Sequence, residues 1–154
     1  MLDHLYMSLA LDEARLAWMA DEIPVGAVAV RAGEVIARGR NRKEEKSLAL
    51  SHAEIEVIHA ASLKLGDWRL QDVTLYVTLE PCIMCAGALL QARIGRVVYG
   101  CPDPKGGALT TLYELAEDHR LNHTFPVSSG VLANESAALL QVFFRNLRRR
   151  GKIK

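Results

Sequence analysis

The chain reads as an α/β fold, with helices covering a sheet that contains parallel strand pairs, on the strength of three observations. Short β-rich and helical runs alternate through the middle in the order strand, helix, strand, helix, strand, which favours crossover connections and parallel pairing. Half of the 154 residues are hydrophobic and 24% are charged, a balance that buries a proper core. No repeat, low-complexity segment or Pro/Gly/Ser-rich linker divides residues 1–154, so a single domain is expected.

Taken in order, residues 3 to 20 are rich in Leu, Ala and Met with few breakers and predict an opening helix. Pro24 to Val30 and Glu34 to Arg40 are two short strands around Ala32-Gly33, a hairpin. Ser51 is positioned to cap a helix running to about Leu65, with Glu54, Ile58, Ala61 and Leu65 at helical spacing and Gly66 ending it. Val73 to Leu79 is β-rich, Pro81 suits the first position of the next helix, and Ile94 to Tyr99 begins another strand. After Gly106-Gly107, Leu109 to Glu117 is weakly helical, Phe125 to Ser128 extended, and Asn134 to about Arg150 a long helix.

No apolar run approaches the roughly 18 residues of a membrane span. The first dozen residues carry Asp3 and Asp12 but no Lys or Arg, unlike a signal peptide, so the expected compartment is the cytoplasm, with no membrane partner. Three cysteines do not make a secreted disulfide framework; Cys82 and Cys85 have the spacing of metal ligands and Cys101 stands apart. The formal net charge of +1 hides an asymmetry. Arg145, Arg148, Arg149, Arg150, Lys152 and Lys154 fall in the last ten residues, leaving 13 basic against 18 acidic residues elsewhere. Such a patch meets phosphate or simply solvates a helix end.

His52, Cys82 and Cys85 offer one imidazole and two thiols, a soft donor set suited to zinc. Three protein ligands leave the fourth tetrahedral position for water, as in a catalytic site. With Pro81 in the first turn, Cys82 and Cys85 lie about one turn apart on one face, near outward-pointing amides that favour thiolate. Glu54 is not required as a ligand and is free to move protons. Zinc lowers the pKa of bound water to about 7, and a carboxylate within reach can accept that proton and pass it to a substrate nitrogen, so that ammonia leaves a ring carbon.

Taken singly, each residue has a plainer explanation. Cys-x-x-Cys also serves redox dithiols and structural zinc sites, Glu54 three residues after Ser51 fits a capping box, and a buried histidine satisfied by a carbonyl is ordinary. A closed structural site would need a fourth ligand from His4, His59, His119, His123 or Cys101, none of which has a paired spacing. His59 lies two turns and roughly 10 Å beyond His52 along a helix, too far to share an ion.

Jointly, His52-x-Glu54 followed by Pro81-Cys82-x-x-Cys85 resembles the signature of zinc nucleobase deaminases. The surrounding blocks narrow the likeness, within the cytidine and deoxycytidylate deaminase superfamily, to the bacterial tRNA-specific adenosine deaminases. Those blocks are Glu22-Ile23-Pro24-Val25-Gly26-Ala27, His52 to Ile55, Pro81 to Ala88, Asp103 to Ala108, Leu121-Asn122-His123 and Phe143-Phe144-Arg145, and they span nearly the whole length. The resemblance implies a three-layer α-β-α sandwich around a central mixed five-stranded sheet. It implies one zinc ion per subunit on His52, Cys82 and Cys85, with Glu54 carrying protons from water to ring N1 and then to the departing amine, and inosine as product.

The same likeness implies that Asn41 hydrogen-bonds the flipped adenine and that the Ala53 N–H meets the oxygen added at C6; on sequence alone, Asn41 is equally a turn residue. It implies the anticodon stem-loop of an arginine tRNA as partner, edited at the first anticodon position. Phe144 and Arg148 would touch the loop, Asp103 and Lys105 would lie beside the extruded nucleotide, and two protomers of a homodimer would both contribute to the RNA site. Without the likeness, Phe143 and Phe144 read as core, and Cys101 departs from it by standing where a small residue is common. Two other readings use the same residues: a guanine, cytidine or deoxycytidylate deaminase with the same zinc core, and a non-catalytic zinc-stabilised RNA-binding module with no dependence on Glu54.

Overall fold

The computed structural model describes residues 2–153; Lys154 of the basic tail lies outside them. The opening helix, α1 (Leu2–Met19), turns Tyr6, Met7, Ala10, Leu11, Ala14 and Ala17 inward, a three- and four-residue spacing that makes one apolar face. β1 (Gly26–Arg31) and β2 (Glu34–Arg40) pair antiparallel, and Ala32 and Gly33 between them both take positive φ, 50° and 76°, the tight turn that matches strand twist. A short α2 (Lys43–Lys46), not foreseen from the sequence, follows.

α3 (Ala53–Leu65) ends at Gly66, which adopts φ 65° and satisfies the last turn in the left-handed conformation. Its beginning corrects an expectation. Ser51 does not cap it: the Ser51 carbonyl accepts from the Arg42 N–H, the backbone is still extended at His52, and His52 occupies the cap position with no side-chain cap bond. The capping box proposed for Glu54 is therefore absent. β3 (Val73–Leu79) leads to α4 (Ile83–Gln91), whose cap is Cys82. Pro81 thus stands outside the helix rather than in its first turn, held there by its carbonyl accepting from the Ala108 N–H at 2.9 Å.

β4 (Arg96–Cys101) starts two residues later than expected because Arg93 takes φ 55° and the Gly95 N–H is bound by the carbonyls of Leu70 and Val73. The helix expected over Leu109 to Glu117 is reduced to turns and a single 3-10 turn, Leu115–Glu117. The amides that a helix would pair i→i−4 go elsewhere: Leu112 and Tyr113 donate to the Gly107 carbonyl and Leu115 to that of Ala108. β5 (Val127–Ser128) and α5 (Ala133–Arg149) complete the chain.

The five strands form one mixed sheet in the order β2-β1-β3-β4-β5, antiparallel on the β2 side and parallel from β3 to β5. Strand alternation sorts the core into two faces. Ala27, Ala29, Leu75, Val77, Val97 and Tyr99 pack with Ala53, Val57 and Ala61 of α3 and Ala86 and Leu89 of α4. Val28, Val30, Tyr76 and Val98 pack with Tyr6, Met7 and Ala10 of α1. α5 joins α1 on that second face, with Ser136 close against Gly100 of β4 and Phe143 edge-on to Trp18, giving the three-layer α-β-α sandwich. No helix among the described residues is long and apolar enough to cross a membrane.

Candidate active site

Five chain segments meet where the parallel strands end, the edge at which open α/β sheets bind ligands. They are the β1 entry at Ile23 and Val25, the β2 exit at Asn41 and Lys43, the start of α3 at His52, Ala53 and Glu54, and the exits of β3 and β4 at Leu79, Glu80, Cys82 and Asp103. Together these residues line a cavity of about 130 Å³.

His52 and Cys82 are each the cap of their helix, and Cys85 follows in the first turn of α4, so all three donors sit at helix N-termini. The three ligand atoms gather within 4.8 Å of one another. His52 Nδ1 is 3.5 Å from Cys82 Sγ and 3.5 Å from Cys85 Sγ. Tetrahedral zinc with ordinary Zn–S and Zn–N bonds separates an imidazole nitrogen from a thiolate by about 3.6 Å, so the spacing fits that ion, and the soft donor set fits it chemically. Hydrogen bonding from Cys85, aided by His52, pulls the Cys82 thiol down to about 4, whereas the bond to Cys82 and burial push Cys85 up. Hydrogen bonding to Cys82 raises His52. These shifts favour thiolate at Cys82, and a divalent cation would take the place of the protons shared among the three donors.

Glu54 lies in the first turn of α3 at 3% exposure, beside the cluster and in the cavity lining. Burial pushes its carboxyl up to about 7, with the nearby Cys82 adding to the rise. A carboxyl poised near neutrality is suited to receiving and returning a proton.

Asn41 is buried; its Oδ1 accepts from the Lys43 N–H at 3.2 Å and its Nδ2 donates to the Ile23 carbonyl at 3.3 Å. One acceptor site and one hydrogen of the amide remain for a ligand. Ala53 is fully buried in the lining, its N–H among the first of α3, groups with no intrahelical partner. Asp103 is half-buried in the lining, and its Oδ1 accepts from the N–H groups of Lys105 and Gly106 at 3.0 and 3.2 Å. Lys105 is exposed outside the cavity, and Phe144 and Arg148 lie on α5, also outside it. Of the two adjacent phenylalanines, Phe143 is the core residue, at 4% exposure, and Phe144 is half-exposed beside it.

Two buried carboxylates escaped the sequence reading. Glu22, at 1% exposure, accepts the N–H groups of Glu44 and Glu45 at 3.0 and 2.8 Å and so fixes α2 beside Asn41. Glu80, at 2%, gathers donors from residues 103 to 111; burial alone would raise its carboxyl, but the bonds from Thr111, Thr110 and Asp103 outweigh it and hold it below its ordinary value. The available signal was position: Glu80 directly precedes the Pro-Cys-x-x-Cys run, and Glu22 opens the first block of the family likeness.

Comparison with known proteins places this geometry. The MafB19-like deaminase family matches residues 1–148. A tRNA-specific adenosine deaminase of Bacillus subtilis (strain 168) is 49% identical over 150 residues, covering 97% of this chain and 93% of the relative. A solved structure from studies of A-to-I editing by tRNA:A34 deaminases at the wobble position superposes with a TM-score of 0.85 at 49% identity, covering 88% of this chain and 98% of that one. A guanine deaminase from Nitrosomonas europaea shares the fold alone, with a TM-score of 0.80 at 23% identity over 91% of this chain and 83% of that one.

Proposed function

Since this chain belongs to the MafB19-like deaminase family and, within it, to the bacterial tRNA-specific adenosine deaminases, we propose that it hydrolyses adenosine to inosine at the first anticodon position of an arginine tRNA, using one zinc ion per subunit. The observation that carries this is the juxtaposition of the His52–Cys82–Cys85 donor set, at zinc spacing, with the buried Glu54 carboxyl in the same cavity lining. Held by those three residues, zinc would supply a water of lowered pKa, near 7.

The chain's own groups do the rest. Glu54 carries one proton of the water to ring N1 and then its second proton to the departing C6 amine, while the oxygen stays on C6, so that adenosine and water become inosine and ammonia. Asn41, with one donor and one acceptor site spare, orients the base, and the Ala53 N–H faces the new oxygen at C6. Asp103 and Lys105 border the extruded nucleotide, and Phe144 and Arg148 meet the anticodon loop. Aromatic stacking of about 1 to 3 kcal/mol per base offsets much of the few kcal/mol needed to unstack the target. The protein acts in the cytoplasm as a homodimer, which light scattering checks.

The test is a product assay with a metal count. Purified protein with about one zinc per chain should form inosine on an arginine tRNA whose anticodon begins with adenosine, and should release little ammonia from guanine, cytidine or free adenosine. His52→Ala should lose the metal. Ammonia from guanine or cytidine instead would reassign the substrate, and tRNA binding with no product from any substrate would leave a binding module.

A further inference from the structure

We propose that Glu80 is a positioning residue whose carboxylate latches residues 103–111 and thereby holds Asp103, the one residue of that segment in the cavity lining, against the bound nucleotide. Glu80 is itself tied in at the end of the sheet, where its N–H donates to the Cys101 carbonyl at 2.9 Å. From there the side chain reaches under a segment with almost no regular structure of its own. Oε1 accepts from the Asp103 N–H at 3.1 Å and from the Thr111 hydroxyl. Oε2 accepts from the N–H groups of Leu109, Thr110 and Thr111 at 3.1, 2.9 and 3.0 Å. With the Thr110 hydroxyl at 3.5 Å from Oε2, six donors saturate a group with about four lone-pair directions. Glu80 therefore has no capacity left to exchange protons with a substrate, although it lines the same cavity as Glu54.

A second, independent observation is the space at Gly107. A Cβ there would lie 2.3 Å from Glu80 Oε1 and 2.6 Å from Oε2, so the backbone of the segment is laid directly on the carboxylate and only glycine permits it. The adjoining Ala108 N–H donates to the Pro81 carbonyl at 2.9 Å, one residue before the Cys82 donor. The stretch Glu80-Pro81-Cys82 thus carries one metal donor and anchors the segment that holds Asp103.

The kinetic part of the test rests on the deaminase reading above; the exchange part does not. In the zinc-loaded protein, Glu80→Gln puts an NH₂ where an acceptor stood, facing N–H donors and leaving some without a partner. Amide exchange at Asp103, Leu109, Thr110 and Thr111 should rise by about tenfold or more while amides of α1 and β1 keep their protection. Zinc content should hold, and KM for tRNA should rise by about tenfold with kcat little changed. Gly107→Ala should reproduce the exchange pattern by displacing the carboxylate, and its effect should vanish in a Glu80→Ala background, where there is nothing to displace. Should Glu80→Gln fail to fold, Gly107→Ala and Thr111→Val, which removes one donor, carry the same exchange measurement. Unchanged exchange at residues 103–111, loss of protection spread over the whole chain, or simple additivity of Gly107→Ala and Glu80→Ala would overturn the proposal. A wild-type protein that deaminates nothing would sink the substrate assignment while leaving the exchange result to decide the latch.

Discussion

Two carboxylates line one cavity with nearly equal solvent exposure, Glu54 at 3% and Glu80 at 2%, yet their proton affinities move in opposite directions. Glu54 stands at the head of α3 with little beyond its own N–H and the Cys85 thiol to satisfy it, so burial dominates and the carboxyl rises to about 7. Glu80 is wrapped by donors from residues 103, 109, 110 and 111, which overcome burial and hold it down. Converging donors, together with a shallower enclosure at Glu80 than at Glu54, separate a group committed to architecture from one available for chemistry.

The largest effect that bears on this contrast is at Glu54. Glu54→Gln keeps the shape and the donor set but removes the proton carrier, and turnover should fall by about 10²- to 10⁴-fold with zinc content unchanged. Since Glu80→Gln should spare kcat and weaken substrate binding, single-turnover rates of the two variants at saturating tRNA should differ by most of that range. Equal rates in the two would mean that the buried carboxylates share the proton work.

Next in size is the pH dependence of stability, read on chelator-treated protein by urea unfolding between pH 4 and 8. For Glu54 the folded value of about 7 exceeds the ordinary 4.5, so the folded state holds more protons between those values. Stability is then highest below pH 4.5 on account of this group and is lost as pH rises towards 7; Glu54→Gln should flatten that fall. For Glu80 the folded value lies below 4.5, so its contribution is present above 4.5 and is lost as pH falls through the folded value. Glu80→Gln should therefore remove part of the acid-side loss. Changes of the same sign in both variants would break the contrast.

What the sequence disclosed follows the same division. His52, Glu54, Cys82 and Cys85 were legible because each is close in sequence to a helix start and their chemistry is carried by residue type and spacing. Helix α1, the Ala32-Gly33 hairpin and β3 were legible because apolar periodicity and turn residues are local signals. The failures lie where contacts from elsewhere in the chain override a local preference. Leu109 to Glu117 has helix-forming residues, but Leu112, Tyr113 and Leu115 donate to the carbonyls of Gly107 and Ala108, outside the helical register, in a segment that Glu80 gathers from about 30 positions away. Ser51 and Pro81 carry the right side chains for a cap and a first turn, yet their carbonyls are bound by Arg42 and Ala108, and both helices begin later. Glu80 itself was invisible as a latch, since a carboxylate's donors are known only once the chain has folded back over it.

The smallest effect belongs outside the cavity, on α5, and it tests whether binding there is separable from both carboxylates. The six basic residues of the tail are not equivalent. Arg150 and Lys152 already pair with Asp21, at 2.8 and 3.3 Å, whereas Arg148 is exposed and has no ion pair among the described residues. A phosphate contact by Arg148 needs no internal bond to be given up, while one by Arg150 must displace Asp21. Arg148→Ala should thus weaken tRNA binding and lower the salt dependence of log K by about one, and Arg150→Ala should do so by less. Neither should change exchange at residues 103–111 or the single-turnover rate at saturation. A salt slope unmoved by Arg148→Ala would return that residue to the solvated surface and leave RNA affinity to Phe144 and to the segment that Glu80 holds.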